Sequence, residues 1–178
     1  MRRARSILLV CALLFVPAAG ASQGLPAETL AYAPQMRPLG AGPMRWFGLR
    51  LYDAELWVSG EGYAPQRPHA LALRYQRAID AGRLVDTSID EMRRLGAGDE
   101  TRLARWREEL ARAFPSVQPD ERIVGLHLPG RGAVFWHQGR LTAEIDDAEL
   151  ARHFFAIWLD ERTREPALRA RLLGEAAP

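Results

Sequence analysis

Residues 40–58, GAGPMRWFGLRLYDAELWV, decide how the chain is read. They open on a run of small residues, Gly40-Ala41-Gly42-Pro43, that reads as a turn. From Met44 to Val58 only Gly48 interrupts. From Leu49 the side chains alternate. Leu49, Leu51, Asp53, Glu55 and Trp57 take one face, and Arg50, Tyr52, Ala54, Leu56 and Val58 the other. The stretch reads as one long strand, or as two strands hinged at Gly48. Tyr52 falls among small and branched apolar residues, where a phenol wants a hydrogen-bond partner. Arg45 is the nearest cation that could help bind an anion.

Upstream, Arg2, Arg3 and Arg5 precede an apolar run from Ile7 to Val16, and Ala19-Gly20-Ala21 is a small-x-small cleavage signal. Residues 1–21 therefore read as a secretory signal peptide cut near Ala21, too short to span a bilayer. The expected location is periplasmic or secreted. Cys11 is the only cysteine and leaves with that leader, so the mature chain has no disulfide and no thiolate ligand. All 24 basic residues are arginine and three lie in the leader, leaving 21 against 22 acids. That balance gives no net basic charge to argue for nucleic acid or an anionic membrane. Residues 22–39, with Pro26, Pro34 and Pro38, read as a flexible lead-in with a short strand around Thr29–Tyr32.

Downstream, residues 60–68 read as a loop and Ala70–Tyr75 as a strand. Asp80 is placed to cap a helix with Leu84, Val85, Ile89 and Met92 on its apolar stripe, ending before Gly96. Asp99 starts another, with Leu103, Trp106, Leu110 and Phe114 at spacings of three and four. Arg122–Leu128, Ala133–Trp136 and Leu141–Ile145 read as a meander, turning at residues 129–132 and 137–140. Asp146 with Glu149 suggests a capping box, and Pro166 opens a last helix. Strands, two helices, strands, two helices: this segregated order argues for an α+β fold, an antiparallel sheet with helices on one face.

Those residues resemble the chalcone isomerase-like family. GAGPMRWFGLRLYDAELWV is similar to its opening strands. PGRGAVFWHQGRLTAEIDDAELARHFFAIWLD (129–160), followed by PALRARLLG (166–174), is similar to its C-terminal half. The resemblance implies an open-faced β-sandwich, a curved antiparallel sheet covered by helices on one face, with a ligand cleft between. It implies a domain over residues 40–174 and a tail at 175–178. It also implies that Arg45 is the family's anion-binding arginine and that Tyr52 stands where fatty-acid binders carry Tyr and the isomerases carry Thr. The isomerases also use an Asn from the helical region, and this chain contains no Asn.

The resulting expectation is an exported, non-catalytic binding protein. Its apolar cleft would take a small amphipathic carboxylate such as a fatty acid, or a phenolic ligand. Arg45 and Tyr52 would hold the acid, because a buried carboxylate needs a cation and donors, and Ser88 and Met92, with Thr87, would line the opposite wall. Simple alternation puts Arg45 on the face of Leu49 and Asp53, so this clamp needs a bulge or turn at Gly48. The bland alternative leaves Arg45 at a solvated rim and Tyr52 as a core phenol. An intramolecular lyase and a ligand-free partner protein are the competing functions. Asp53 and Glu55, two apart on one strand face, could do acid–base work or bind a metal; the favoured reading is charges on the partly exposed side of the sheet or pairs with Arg. His127 and His137 fall on neighbouring strands or at their ends and could approach each other. His69, His127, His137 and His153 show no metal-ligand spacing, and neither a metal nor any other cofactor is expected.

Overall fold

The computed structural model describes residues 24–175; the leader, with Cys11 and its cleavage signal, lies outside the described residues. A single helical turn, α1 (Thr29–Tyr32), precedes three strands: β1 (Met36–Trp46), β2 (Leu49–Ser59) and β3 (His69–Tyr75). Helices α2 (Ala81–Arg94) and α3 (Glu100–Ala113) follow. Then come β4 (Arg122–Leu128), β5 (Gly132–His137), β6 (Arg140–Ile145), α4 (Ala148–Leu159) and α5 (Pro166–Leu172). The six strands form one antiparallel sheet in sequence order, open at β1 and β6. The fold is thus α+β.

The deciding stretch is a hairpin. Phe47 and Gly48 form a two-residue turn with φ of 46° and 79°, the left-handed pair that matches the twist of the flanking strands. Glycine is at ease there, whereas a phenylalanine gives up roughly 1–2 kcal/mol. The small-residue run 40–43 is not a turn but the middle of β1. Its glycines are required by packing: a Cβ on Gly40 would stand 2.1 Å from the Arg171 carbonyl oxygen at the end of α5. Pro38 and Pro43 are tolerated because β1 is an edge strand.

Alternation along the strands sorts two cores. Ala54, Leu56 and Val58 of β2, Leu71 and Leu73 of β3, and Phe135 of β5 face α2 to α5. Ala70, Ala72, Val124, Leu126 and Trp136 face the other way and are covered by the N-terminal segment through Ala33, Tyr32 and Leu25. The lead-in is therefore packed: the expected strand at Thr29–Tyr32 is a helical turn, and the Tyr32 ring meets Trp136 edge-on at 5.9 Å.

Side-chain caps mark the starts of α3 and α4. Asp99 accepts from the Arg102 N–H, as its position predicts. The cap of α4 is Asp147 rather than Asp146; its carboxylate accepts from the Glu149 and Leu150 N–H groups and from the Trp106 indole at 2.9 Å. Asp80 precedes α2 without a side-chain cap, and the Ala81 N–H donates instead to the Ser116 hydroxyl. Among the described residues no helix is long and apolar enough to cross a membrane.

Candidate functional site

The helix-facing side of β2 and β3 leaves a cavity of about 520 Å³ beneath α2 and α4, within the roughly 300–1,000 Å³ typical of small-molecule sites. Tyr52, Leu71, Leu73 and Tyr75 line its sheet side, and Leu84, Ser88, Ile157 and Trp158 its helix side. Phe114, Phe135 and Phe154, all buried, form an aromatic part of its wall. Charge is confined to the rim and one flank, where Arg77, Asp80, Arg83, Glu91, Arg164 and Glu165 stand.

Three of the five anticipated ligand residues, Tyr52, Thr87 and Ser88, line this cavity. Tyr52 accepts a hydrogen bond from the Trp158 indole N–H at 2.9 Å, which leaves its own O–H free to donate inward. Ser88 lines the helix wall, its hydroxyl donating to the Leu84 carbonyl at 2.8 Å. Met92 does not: it lies fully buried in the core behind α2. Arg45 does not either. It is exposed near the hairpin tip, donating to the Gly48 carbonyl at 3.2 Å. A bulge is present, since Met44 pairs with Tyr52 but Arg45 with Arg50, skipping Leu51. It brings Leu51 to the cavity and leaves Arg45 opposite Arg50, off the Tyr52 face. The expected Arg45–Tyr52 clamp is therefore not formed.

The free cations at the cavity are instead Arg77, between β3 and α2, and Arg83, in the first turn of α2. Both are exposed at the rim, and neither makes an ion pair among the described residues. Arg164 is engaged, its Nε 3.0 Å from a Glu91 oxygen, and Arg94 takes the other Glu91 oxygen at 2.8 Å. Sequence reading missed Arg77 and Arg83 because nothing local distinguishes them from solvated arginines. Tyr75 was also missed, although the β2–β3 register that sets it opposite Tyr52 is what pairs the two rings, 5.8 Å apart.

Burial raises the Tyr52 phenol well above its ordinary value; the Trp158 N–H opposes this, while the Glu165 and Glu91 carboxylates add to it. Burial, with Tyr52 as neighbour, raises Tyr75 likewise. Both phenols stay protonated at neutral pH, so they can donate and accept hydrogen bonds but are not poised as bases. Burial also raises the Glu165 carboxyl, which has no ion-pair partner among the described residues.

Elsewhere the bland readings stand. Asp53 is bound by Arg50 and by Gln76 at 2.8 Å, with Arg74 at 3.6 Å. Glu55 accepts from the Trp57 indole at 3.1 Å. His127 does not approach His137, which bonds Glu121 at 3.1 Å. His127 pairs with His69 on β3, ring centroids 4.6 Å apart, on the wall of a second cavity of about 920 Å³ beside α4. That cavity is bordered by opposed charges, Glu149 and Asp160 against Arg152 and Arg162, and is less suited to an apolar ligand. Among the described residues no group of three or more His, Cys, Asp or Glu could hold a metal.

Three comparisons bear on this geometry. The family model described as chalcone isomerase-like matches residues 40–174. An uncharacterized protein of Haemophilus influenzae is 26% identical over 140 residues, which cover 78% of this chain and 68% of that protein. Among solved structures, a fatty-acid binding protein of Arabidopsis thaliana superposes with a TM-score of 0.60 at 12% identity, covering 78% of this chain and 87% of the other. At that identity the likeness speaks for the fold.

Proposed function

The chain belongs to the chalcone isomerase-like family, and from that premise we propose that it is an exported, non-catalytic carrier of a small amphipathic carboxylate such as a fatty acid. The observation that carries the reading is the distribution of charge around the cavity. The interior is apolar and aromatic, while Arg77 and Arg83, which make no ion pair among the described residues, stand at the rim with the acid Asp80. An acyl chain would lie against Leu71, Leu73 and Phe135, with its acid on the two guanidinium groups, which offer the planar donor forks that carboxylates fit. The Tyr52 end is the poorer place for the acid, because Glu165 and Glu91 already put negative charge near it. There the phenol is better suited to a neutral oxygen. The fatty-acid binding protein of Arabidopsis shares the fold, which lends the reading weight. Against turnover stand the two phenols held protonated and the absence of Asn from the chain.

The test is titration with a fluorescent fatty acid, wild type beside Arg77→Ala/Arg83→Ala and Arg45→Ala. Losing charge-assisted bonds of about 1.5–3 kcal/mol should weaken the double variant roughly tenfold to a hundredfold, with Arg45→Ala unchanged. Weakening by Arg45→Ala alone would return the acid to the hairpin. A wild type that takes up no fatty acid would sink the carrier reading.

A further inference from the structure

The tip of the β1–β2 hairpin is built against the ordinary preference of its turn. Its first turn position has φ of 46° and holds Phe47, where Asn, Asp or Gly would be at ease. That ring is 89% exposed. Five large apolar residues are exposed among the described residues, and three of them, Trp46, Phe47 and Leu49, fall within four positions at this tip. Scattered singly they would need no explanation; clustered, they do. Trp46 and Phe47 meet edge-on with centroids 5.1 Å apart, so they make one aromatic knob. Cations sit just behind it. Arg45 and Arg50 are cross-strand partners, and among the described residues the Arg45 guanidinium bonds only the Gly48 carbonyl. Arg50 and Arg74 share the single carboxylate of Asp53, which leaves that group net positive. Trp46 also lines the cavity whose rim carries Arg77 and Arg83.

We infer that this hairpin tip is a membrane-docking element that inserts Trp46, Phe47 and Leu49 into the interfacial layer of an anionic phospholipid bilayer, turning the cavity mouth toward the lipid. Aromatic rings favour the headgroup boundary, and arginines behind them meet lipid phosphates. A protein partner fits less well: specific interfaces need about 800 Å² on each side, whereas this is a small convex knob. The exposed knob, its left-handed turn and the arginines behind it are present whether or not the cavity holds a ligand.

The decisive variant is Phe47→Asn, which suits the positive φ of the turn and should leave the fold intact. Flotation of the mature full chain would be measured with vesicles of phosphatidylcholine, with and without phosphatidylglycerol. Wild type should float with the anionic vesicles, less so as salt rises. Phe47→Asn should lower partitioning by about tenfold or more, as expected when one buried phenyl ring is lost, while still binding the fluorescent fatty acid as wild type does. Arg45→Ala should weaken binding to the anionic vesicles only. Equal flotation of Phe47→Asn and wild type would overturn the inference. So would a wild type that ignores vesicles, above all one that self-associates through the tip. A protein that floats but takes up no fatty acid would refute the carrier reading alone.

Discussion

Tyr52 is fixed by one hydrogen bond, accepted from the Trp158 indole across the cavity wall at 2.9 Å. Phenylalanine at this position keeps the ring and removes the acceptor, leaving a largely buried N–H without a partner. Tyr52→Phe should therefore cost about 1–3 kcal/mol in urea-induced unfolding. Its affinity for fatty acid should change little if the acid sits on Arg77 and Arg83; a large loss would put the acid at the phenol. The face of Tyr52 was legible, because alternation beyond the bulge, from Tyr52 to Val58, is regular and buries Ala54, Leu56 and Val58 as expected. The position of Arg45 was not. Register has period two, so a single skipped residue reverses every face beyond it. The two-residue turn at Phe47-Gly48 and the bulge at Leu51 both lie between Arg45 and Tyr52. Proximity in sequence thus pointed to a cation that lies off the cavity. Arg77 and Arg83 reach its rim only once α2 has been laid across the sheet.

At the scale of elements, the contact between β1 and α5 decides what the glycines are for. Gly40 and Gly42 let an edge strand approach the last helix. A Cβ on Gly40 would meet the Arg171 and Leu172 carbonyl oxygens at 2.1 and 2.6 Å, whereas one on Gly42 would meet side-chain atoms of Arg171 and Leu168 at 3.0 Å. Backbone oxygens at the end of a packed helix cannot swing away as side chains can. Gly40→Ala should therefore destabilise the fold by roughly 1–3 kcal/mol, as overpacking does, and Gly42→Ala by less, when the two are compared by thermal or urea unfolding. Equal effects would mean that α5 yields as a unit. The composition of the run announced a special backbone site but not which kind, because glycine serves turns and close approaches alike. Helices were read more securely than this strand. Their caps and apolar stripes are local signals, whereas the packing of α1 on the back of the sheet is set by Trp136, far along the chain.

For the whole molecule, the feature with the widest consequence is a pair of histidines inside the sheet–helix layer. His69 and His127 are 1% and 5% exposed and face each other across β3 and β4 against Phe155. His69 Nδ1 lies 3.0 Å from the Arg67 carbonyl, while its Nε2 and the His127 Nδ1 have no hydrogen-bond partner among the described residues. Burial lowers both from 6.5 to about 4, with the His69 charge adding to the effect on His127. The folded chain therefore keeps both rings neutral down to about pH 4, while the unfolded chain protonates them near 6.5. Between those values the unfolded state binds more protons, so stability falls as pH falls through that window. At pH 5 the loss should be roughly 2 kcal/mol per histidine relative to neutral pH. Protonating carboxylates would blur this in the wild type alone, so the comparison is with His127→Leu, which keeps an apolar filling against Phe155. Urea midpoints at pH 7 and pH 5 should drop less for the variant than for the wild type. Equal drops would mean that the buried pair takes up protons without unfolding, through water reaching it from the adjoining cavity.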